Sequence, residues 1–321
     1  MGFLKQLSDY KKICIECHNN PDADTVASAF GVYSFLKQNG VDAFIVYGGP
    51  YEIKKSCMKM LVNELNIPIT YTNNPKDFDL LLMIDCQYKA TNTQFFESTN
   101  VAIIDHHVRT VEDNPAYLIK SDYQSCSTII WELLKEENFD ISSVQNLDVA
   151  LLYGLYTDTS CFADLYGAKD NNMKLALFNN QPLFEKLIKS NMTVAELMVA
   201  SDAIHNHYFD TEKRFAVVEA LSCDQTVLGI IGDFMIQVDI IDLNITYCKS
   251  SNGYSMSLRA CRNDFPANEI VKYICEGIGS GGGHHNKAGG FVLQEKAIQK
   301  YGDISLTDII IKRVEQFIDN I

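Results

Sequence analysis

Four short clusters of acidic residues and histidines follow apolar segments in the first half of the sequence. They are His18-Asn-Asn-Pro-Asp22-Ala-Asp24, the single Asp85, Asp105-His106-His107 and Thr157-Asp158-Thr159. Each cluster alone has an ordinary explanation, because Asp often caps a helix or forms a turn. Four of them at the ends of apolar segments favour one shared site.

The donor atoms of these clusters are typical of a site for divalent metal ions. The set supplies four carboxylates, two imidazoles and no thiolate, from His18, Asp22, Asp24, Asp85, His106 and Asp158. Such oxygen-rich sets suit Mn²⁺ or Mg²⁺, with Co²⁺ as a substitute, and disfavour a structural zinc site. Six side chains fit two ions that share a bridging carboxylate, and two ions in one site promote displacement at phosphorus.

Alternating strands and helices are predicted to position the clusters. Strands are predicted over Ile13–Cys17, Ala43–Val46, Leu80–Ile84, Val101–Ile104 and Tyr117–Ile119. Apolar residues at helical spacing predict helices over Ala27–Gln38, Cys57–Leu65, Ser127–Leu134 and Asp148–Thr157. This order predicts an α/β domain with a mostly parallel sheet and helices on both faces. Because ligands bind beyond the carboxyl ends of such strands, three clusters would converge there, and a helix end would add Asp158.

A change in composition after residue 190 predicts a second, smaller α/β domain. The predicted elements are a connecting helix over Asn191–Tyr208, strands over Arg214–Leu221, Thr226–Phe234, Leu243–Lys249 and Tyr254–Arg259, and a helix over Asn268–Ile278. A glycine-rich loop follows, with the sequence Gly279-Ser-Gly-Gly-Gly-His-His-Asn-Lys-Ala-Gly-Gly290. We therefore predict domains at residues 1–190 and 212–321, a linker at 191–211 and a cleft between the domains.

The charge and hydropathy of the chain exclude several classes of partner. Lys and Arg number 27 against 41 Asp and Glu, which gives a net charge of -14 with neutral His. A long DNA duplex requires a basic surface and is therefore excluded. The sequence has no apolar run of about 18 residues and no signal-peptide pattern at its start. We expect a cytoplasmic protein that does not enter membranes, with its cysteines reduced.

The ordered clusters resemble the four motifs of the DHH phosphoesterase family. The matching residues are His18-x-x-Pro-Asp22-x-Asp24 with Ala27-Ser-Ala, Asp85, Asp105-His106-His107 and Thr157-Asp158-Thr159. The segment Gly281-Gly-Gly-His284…Ala288-Gly-Gly290 resembles the signature of the DHHA1 domain found in many members. Two departures are Ser160-Cys161-Phe162, where the family commonly has Gly, and His284-His285, which leaves the register of the signature open by one residue.

The resemblance implies a role for each matched residue. One Mn²⁺ would be held by His18, Asp22 and Asp85, and a second by Asp24, Asp85, His106 and Asp158. His107 would face the substrate phosphate, and Asp105 would orient the histidine pair. The implied phosphate pocket of the second domain consists of Arg259, Gly281, Gly282, Gly283 and His284, with His285 as the alternative to His284 and Lys287 as an added contact. Arg is suited to a bidentate phosphate clamp, and successive glycine N–H groups to an anion nest.

Within the family, the length of the chain favours the compact oligoribonuclease and pAp-phosphatase type, which is also described as exopolyphosphatase-related. The expected activity is manganese-dependent hydrolysis of short single-stranded oligoribonucleotides, of linear dinucleotides such as pApA, or of 3′-phosphoadenosine 5′-phosphate (pAp). The alternatives are an exopolyphosphatase-type phosphohydrolase and a non-catalytic nucleotide-binding regulator with a vestigial metal site. A homodimer through the connecting helix is a further expectation.

Overall fold

The computed structural model describes residues 2–50, 52–178, 182–189, 192–205, 207–221, 223, 225–262 and 264–320. The chain divides into two compact units, Met1–Met192 and Thr193–Ile321, each built on a six-stranded sheet. Among the helices of the described ranges, none combines the length and apolar character that crossing a bilayer requires.

The sheet of the N-terminal unit is parallel throughout. Its strands are β1 (Lys12–Cys17), β2 (Asp42–Tyr47), β3 (Ile69–Tyr71), β4 (Leu80–Ile84), β5 (Val101–Asp105) and β6 (Tyr117–Ile119). They lie in the order β3-β2-β1-β4-β5-β6, so β1 pairs with both β2 and β4. The chain therefore reverses its winding between β1 and β4, the place where open α/β sheets bind ligands.

Helices of this unit pack on one face of the sheet. They are α1 (Phe3–Leu7), α2 (Ala23–Gln38), α3 (Ser56–Glu64), α4 (Cys126–Glu136), α5 (Leu147–Asp158), α6 (Ala168–Leu177) and α7 (Pro182–Ile188). Every second strand residue, such as Ile13 and Ile15 of β1, joins buried residues of these helices in one apolar core. Helix α5 is apolar on all sides because it is enclosed by its neighbours, and Leu147 and Val149–Leu155 are buried.

The opposite face of this sheet differs from the sequence prediction. Strand residues of this face, such as Val46 and Met83, pack against Cys86, Phe96 and the half-buried Val111, which belong to irregular segments. In the described part of the chain, no helix contributes to this second apolar cluster. The irregular connections after β4 and β5 cover this face instead. Neither connection contains a helix before the next strand.

The C-terminal unit has a mixed sheet. Its strands are β7 (His207–Asp210), β8 (Phe215–Ala220), β9 (Leu243–Ser250), β10 (Gly253–Ala260), β11 (Gly279–Gly283) and β12 (Lys287–Leu293). They lie in the order β11-β12-β10-β9-β8-β7, and only the β8–β9 pairing of the described strands is parallel. One face packs in a core with α10 (Ala267–Cys275), α11 (Gln294–Tyr301) and α12 (Leu306–Ile318), and the other packs with α8 (Val194–His205) and α9 (Gln225–Met235).

Three predictions for this region are wrong. The segment Thr226–Phe234 is helical rather than a strand, because Val227, Ile231 and Met235 are buried four residues apart on one side of α9. The helix predicted over Asn191–Tyr208 spans only Val194–His205, since residues from His207 onward pair with β8; Asn191 itself lies outside the described residues. The predicted glycine-rich loop, Gly279–Gly290, instead forms strand β11, a short turn and the start of β12, and the two strands pair antiparallel.

Acid is expected to destabilise the C-terminal unit through Asp242. This buried carboxylate accepts hydrogen bonds from Arg214 and Arg262, which lower its pKa. Its contribution to stability is therefore present above about pH 4 and is lost as the pH falls through the lowered native value. Asp242→Asn should reduce the free energy of unfolding at pH 7 and flatten its acid dependence, measured by urea denaturation from pH 7 to pH 3. The exposed Asp319→Asn is the control, and equal acid dependence in both variants would contradict this role.

Candidate metal centre

Residues of the first two clusters lie at the topological switch point. His18 follows β1, and Asp22 caps α2 by accepting a hydrogen bond from the backbone N–H of Thr25. Asp85 follows β4 in a left-handed conformation (φ 61°). The Thr25 hydroxyl donates to the carbonyl of Ile84 at 2.9 Å and thus ties the start of α2 to the end of β4.

Six predicted ligands come together in this part of the N-terminal unit. Their donor atoms lie within 4.8 Å of one another in three groups: His18, Asp22 and Asp85; Asp85, His106 and His107; and Asp24, His106 and Asp158. Asp85 and His106 each belong to two groups, so the three groups form one continuous centre. The predicted convergence of the clusters is therefore present in the structure.

The distances between donor atoms suit an ion held between them. His106 Nε2 lies 3.3 Å from Asp85 Oδ1 and 3.3 Å from Asp158 Oδ2. His18 Nε2 lies 3.6 Å from Asp22 Oδ1 and 3.7 Å from Asp85 Oδ2. Two ligands that each bind one ion at about 2.1 Å are themselves separated by about 3.0–3.4 Å. The spacing around His106 matches this value, and that around His18 is slightly wider.

Two buried donor atoms lack the hydrogen bonds that burial normally requires. Among the described residues, Asp85 Oδ1 and His106 Nε2 are buried side-chain atoms that form no hydrogen bond of acceptable geometry, although they lie 3.3 Å from each other. In His106 and His18, the ring nitrogen Nδ1 contacts a backbone carbonyl. His106 Nδ1 lies 3.3 Å from the Tyr123 carbonyl, and His18 Nδ1 lies 2.9 Å from the Asn19 carbonyl. A backbone partner on Nδ1 directs the Nε2 lone pair toward the centre, as in histidines that bind metals. The donor set therefore fits divalent cations.

Charges in the centre also favour cation binding. Burial, together with the Asp158 and Asp85 carboxylates, raises the pKa of Asp24, and burial raises the pKa of Asp85. Burial disfavours the charged form of His18, yet Asp22 and Asp85 outweigh it and raise its pKa to about 10. Without an ion, the carboxylates can therefore be neutralised only by protons on their own oxygens or on the imidazoles. A divalent ion supplies that positive charge at neutral pH.

Backbone donors and a glycine contact fix Asp24. Its two carboxylate oxygens accept hydrogen bonds from the N–H groups of Cys126 (2.6 Å) and Ser127 (2.8 Å), at the start of α4. The positive end of the helix dipole also favours this carboxylate. Gly154 of α5 lies so close that a Cβ there would be 2.2 Å from Ser127 Oγ and 3.0 Å from Asp24 Oδ1. Only glycine allows α5 to approach Asp24 in this way.

Asp105 and His107 form a pair beside the centre. Asp105 Oδ1 accepts hydrogen bonds from the backbone N–H of His106 (2.9 Å) and from His107 Nδ1 (2.8 Å). Although burial opposes ionisation, the bond to His107 lowers the pKa of Asp105. The His107 side chain is 36% exposed, against 7% for His106, so it is the more accessible histidine of the pair.

A left-handed turn follows Asp158. Ser160, Cys161 and Phe162 have φ values of 50°, 61° and 67°, a conformation that costs a non-glycine residue about 1–2 kcal/mol. The Phe162 ring packs edge-to-face on Tyr156 and stacks with Phe184, which holds the turn in place. The departure from glycine noted in the sequence therefore occurs at residues whose backbone is left-handed.

The predicted phosphate pocket is only partly as expected. Arg259 of β10 and Lys287 of β12 are cross-strand neighbours. Gly281, Gly282 and Gly283 belong to strand β11, however, and although Gly283 has a positive φ (142°), backbone paired in a sheet does not form the predicted anion nest. His284 and His285 are both exposed in the turn between β11 and β12, so the structure does not choose between the two registers.

Sequence reasoning missed the residues that support these side chains. Arg259 pairs with Asp233 and lies against Gly229 and Gly232, where a Cβ would be 2.7 Å and 2.9 Å from its side-chain atoms. The three-residue spacing of these glycines indicates a shared helix face that could accommodate a side chain, but only once Gln225–Met235 is known to be a helix. Gln87 donates to Asp105 Oδ2 at 2.7 Å, and no feature of its polar, irregular segment predicts this contact.

Gly154→Ala is expected to damage the centre. The new methyl group would force Ser127 or Asp24 to move, and such overpacking costs about 1–3 kcal/mol. We expect lower stability and weaker Mn²⁺ binding, measured by urea denaturation and isothermal titration calorimetry. Adding Ser127→Ala removes the nearest clashing atom and should restore part of both. Equal defects in the single and double variants would contradict this explanation.

Comparison with known proteins agrees with the motif analysis. Residues 12–157 match the DHH family, N-terminal domain. The chain is 23% identical to the bifunctional oligoribonuclease and PAP phosphatase NrnA of Mycoplasma genitalium, over 92% of this chain and 93% of that protein. It is 28% identical to the cyclic-di-AMP phosphodiesterase PdeA of Listeria monocytogenes, over 67% of this chain and 36% of PdeA. The matched region thus spans about a third of PdeA, as it does of an uncharacterized Methanocaldococcus jannaschii protein (33%).

A solved structure has the same fold. The crystal structure of an exopolyphosphatase-related protein from Bacteroides fragilis aligns with a TM-score of 0.78 and 16% identity, covering 99% of this chain and 96% of that chain. This agreement confirms the predicted architecture of two α/β domains of the DHH/DHHA1 type. The family match over residues 12–157 and the Asp/His metal site identify the N-terminal unit as a DHH-family domain of the metal-dependent phosphoesterase type.

Proposed function

We propose that the chain is a two-metal, manganese-dependent enzyme that hydrolyses short oligoribonucleotides, linear dinucleotides such as pApA, or pAp. The observation that carries this proposal is the continuous centre in which Asp85 and His106 each belong to two donor groups. A carboxylate shared between groups is the feature that a bridged pair of ions requires. Bound there, two divalent ions would supply charge stabilisation and activate water for attack on a phosphoester.

Each ion is assigned to its own ligand set. His18, Asp22 and Asp85 would hold the first, and their donor atoms form one of the three groups of the centre. Asp24, Asp85, His106 and Asp158 would hold the second, and the 3.3 Å distances from His106 Nε2 to both Asp85 and Asp158 support this assignment. Mixed carboxylate and imidazole donors favour Mn²⁺, with Mg²⁺ or Co²⁺ as substitutes.

The chain's own side chains would then act on the substrate phosphate. Asp105 holds His107 Nδ1 at 2.8 Å, so the His107 Nε2 atom would face the phosphoryl oxygens. From there it would stabilise developing charge or give a proton to the leaving group. Arg259 and Lys287, adjacent across two strands, would bind the terminal phosphate of the substrate.

A short nucleotide substrate agrees best with the charge and the relatives of the chain. With a net charge of -14, the surface does not favour a long polyanion, whereas a small substrate needs only the metals and two cations. NrnA, which matches over nearly the full length of both chains, is described as an oligoribonuclease and PAP phosphatase. The complete set of six ligands opposes the alternative of a vestigial, non-catalytic site. The alternative of polyphosphate hydrolysis has weaker support, because the resemblance to the exopolyphosphatase-related protein from Bacteroides fragilis concerns only the fold.

A substrate comparison tests the proposal. The protein should release AMP from pApA or pAp in the presence of Mn²⁺, and EDTA should abolish this activity. Asp85→Asn should lower activity more than the about 10–100-fold typical of residues that only support a ligand, because it removes the bridging charge. Asp42→Asn, at the exposed amino end of β2, is the matched control and should retain activity.

Three outcomes would overturn this assignment. If the protein cleaves tripolyphosphate but none of the nucleotides, its substrate is polyphosphate. Mn²⁺ binding without turnover of any tested substrate would support a binding protein. Full activity of Asp85→Asn would show that the centre described above is not the site of reaction.

A further inference from the structure

Gln87 uses every hydrogen-bonding position of its side-chain amide. It lies two residues after Asp85 and is 4% exposed. Its Nε2 donates to Asp105 Oδ2 (2.7 Å) and to the Val108 carbonyl (3.0 Å). Its Oε1 accepts from the backbone N–H (2.7 Å) and the hydroxyl (2.9 Å) of Thr110. A buried amide with two donors and two acceptor positions all engaged is held in one orientation.

Through these contacts, Gln87 connects Asp105, the hydrogen-bond partner of His107, with the turn that follows His107. Asp105 Oδ1 already receives two donors, from His106 and His107. The bond from Gln87 engages the other oxygen, so the plane of the Asp105 carboxylate is fixed from both sides. The contacts of Gln87 with Val108 and Thr110 hold the backbone of the turn that begins directly after His107.

We propose that Gln87 is a positioning residue that acts through Asp105 to orient His107. This inference rests on the proposed function, in which His107 faces the substrate phosphate. Without the Gln87 amide, Asp105 Oδ2 would lose a charge-assisted hydrogen bond and the carboxylate could rotate about its Cβ–Cγ bond. The direction of the His107 ring would then vary, and its contact with a phosphoryl oxygen would be lost for part of the time.

Gln124 provides a matched control. It also secures a turn close to the centre, donating to the Asp164 carbonyl (2.7 Å) and accepting from the N–H groups of Tyr166 (2.7 Å) and Gly167 (2.6 Å). These contacts are with the backbone only. Gln87→Leu and Gln124→Leu thus each remove the anchoring of a turn, but only the first removes a contact with Asp105.

Kinetics with pAp and Mn²⁺ test the inference. We expect Gln87→Leu to lower kcat by about 10–100-fold, the usual effect of losing a supporting contact, with KM and Mn²⁺ content near those of the wild type. Gln87→Glu should lower kcat further, because it places a second carboxylate against Asp105. In an Asp105→Asn background, Gln87→Leu should have little additional effect, since residues that act through one another are not additive.

Other results would contradict the inference. A kcat for Gln87→Leu equal to that of Gln124→Leu would show that Gln87 only anchors a turn. Additive losses in the double variant would show that it does not act through Asp105. If Gln87→Leu does not fold, Gln87→Met, which keeps the length of the side chain without its amide, replaces it.

A spectroscopic measurement separates this inference from the proposed function. In ¹⁵N-histidine-labelled, Mg²⁺-loaded protein, the His107 Nδ1–H proton bonded to Asp105 should give a resonance that is identified by its loss in His107→Gln. Gln87→Leu should broaden or shift this resonance, and Gln124→Leu should leave it unchanged. An unchanged resonance in Gln87→Leu would overturn the inference even if pAp is hydrolysed. Failure of the wild type to hydrolyse any nucleotide would overturn only the proposed function.

Discussion

Mutual repulsion among buried carboxylates is the constraint on which the N-terminal unit depends. Asp24 and Asp85 are almost fully buried, and Asp22 and Asp158 lie near them around two imidazoles. Such a group is stable only if positive charge reaches it or if backbone donors hold it. The fold provides the donors, from the start of α4 to Asp24 and from Thr25 to Asp22. Divalent cations bound there would neutralise the remaining charge and would engage Asp85 Oδ1 and His106 Nε2, which form no hydrogen bond of acceptable geometry.

The parallel sheet brings these residues together with little dependence on its loops. β1 and β4 are neighbours at the reversal of strand order, so His18 and Asp85 meet simply by following adjacent strands. Helices α2 and α5 are closely packed, and Gly154 allows the contact at Asp24. Asp158 lies at the end of the same helix. The positions of the ligands are therefore determined by regular elements, which hold a site more accurately than loops do.

Much of the N-terminal unit could be predicted from the sequence, because alternating strands and helices have distinct apolar periods and Asp and His have distinctive chemistry. The five predicted strands occur, and the six predicted ligands lie in one place. The supporting contacts could not be predicted. Gln87 forms hydrogen bonds with residues that lie at least 18 positions away in the sequence, and no local sequence pattern predicts such contacts. The apolar run Thr226–Phe234 predicts a strand wrongly because a continuous apolar run has the same composition in a buried strand and in a buried helix.

The location of all six ligands in one unit has a consequence for the synthesis of the protein. Residues 18–158 belong to Met1–Met192, so all six predicted ligands come from the first unit. Domains generally fold as units, the N-terminal one first, while the ribosome is still extending the polypeptide. The nascent first unit therefore contains all six predicted metal ligands before the residues that we propose to bind the substrate phosphate have been translated. A metal ion available during translation would then meet the complete set of predicted ligands before a substrate does.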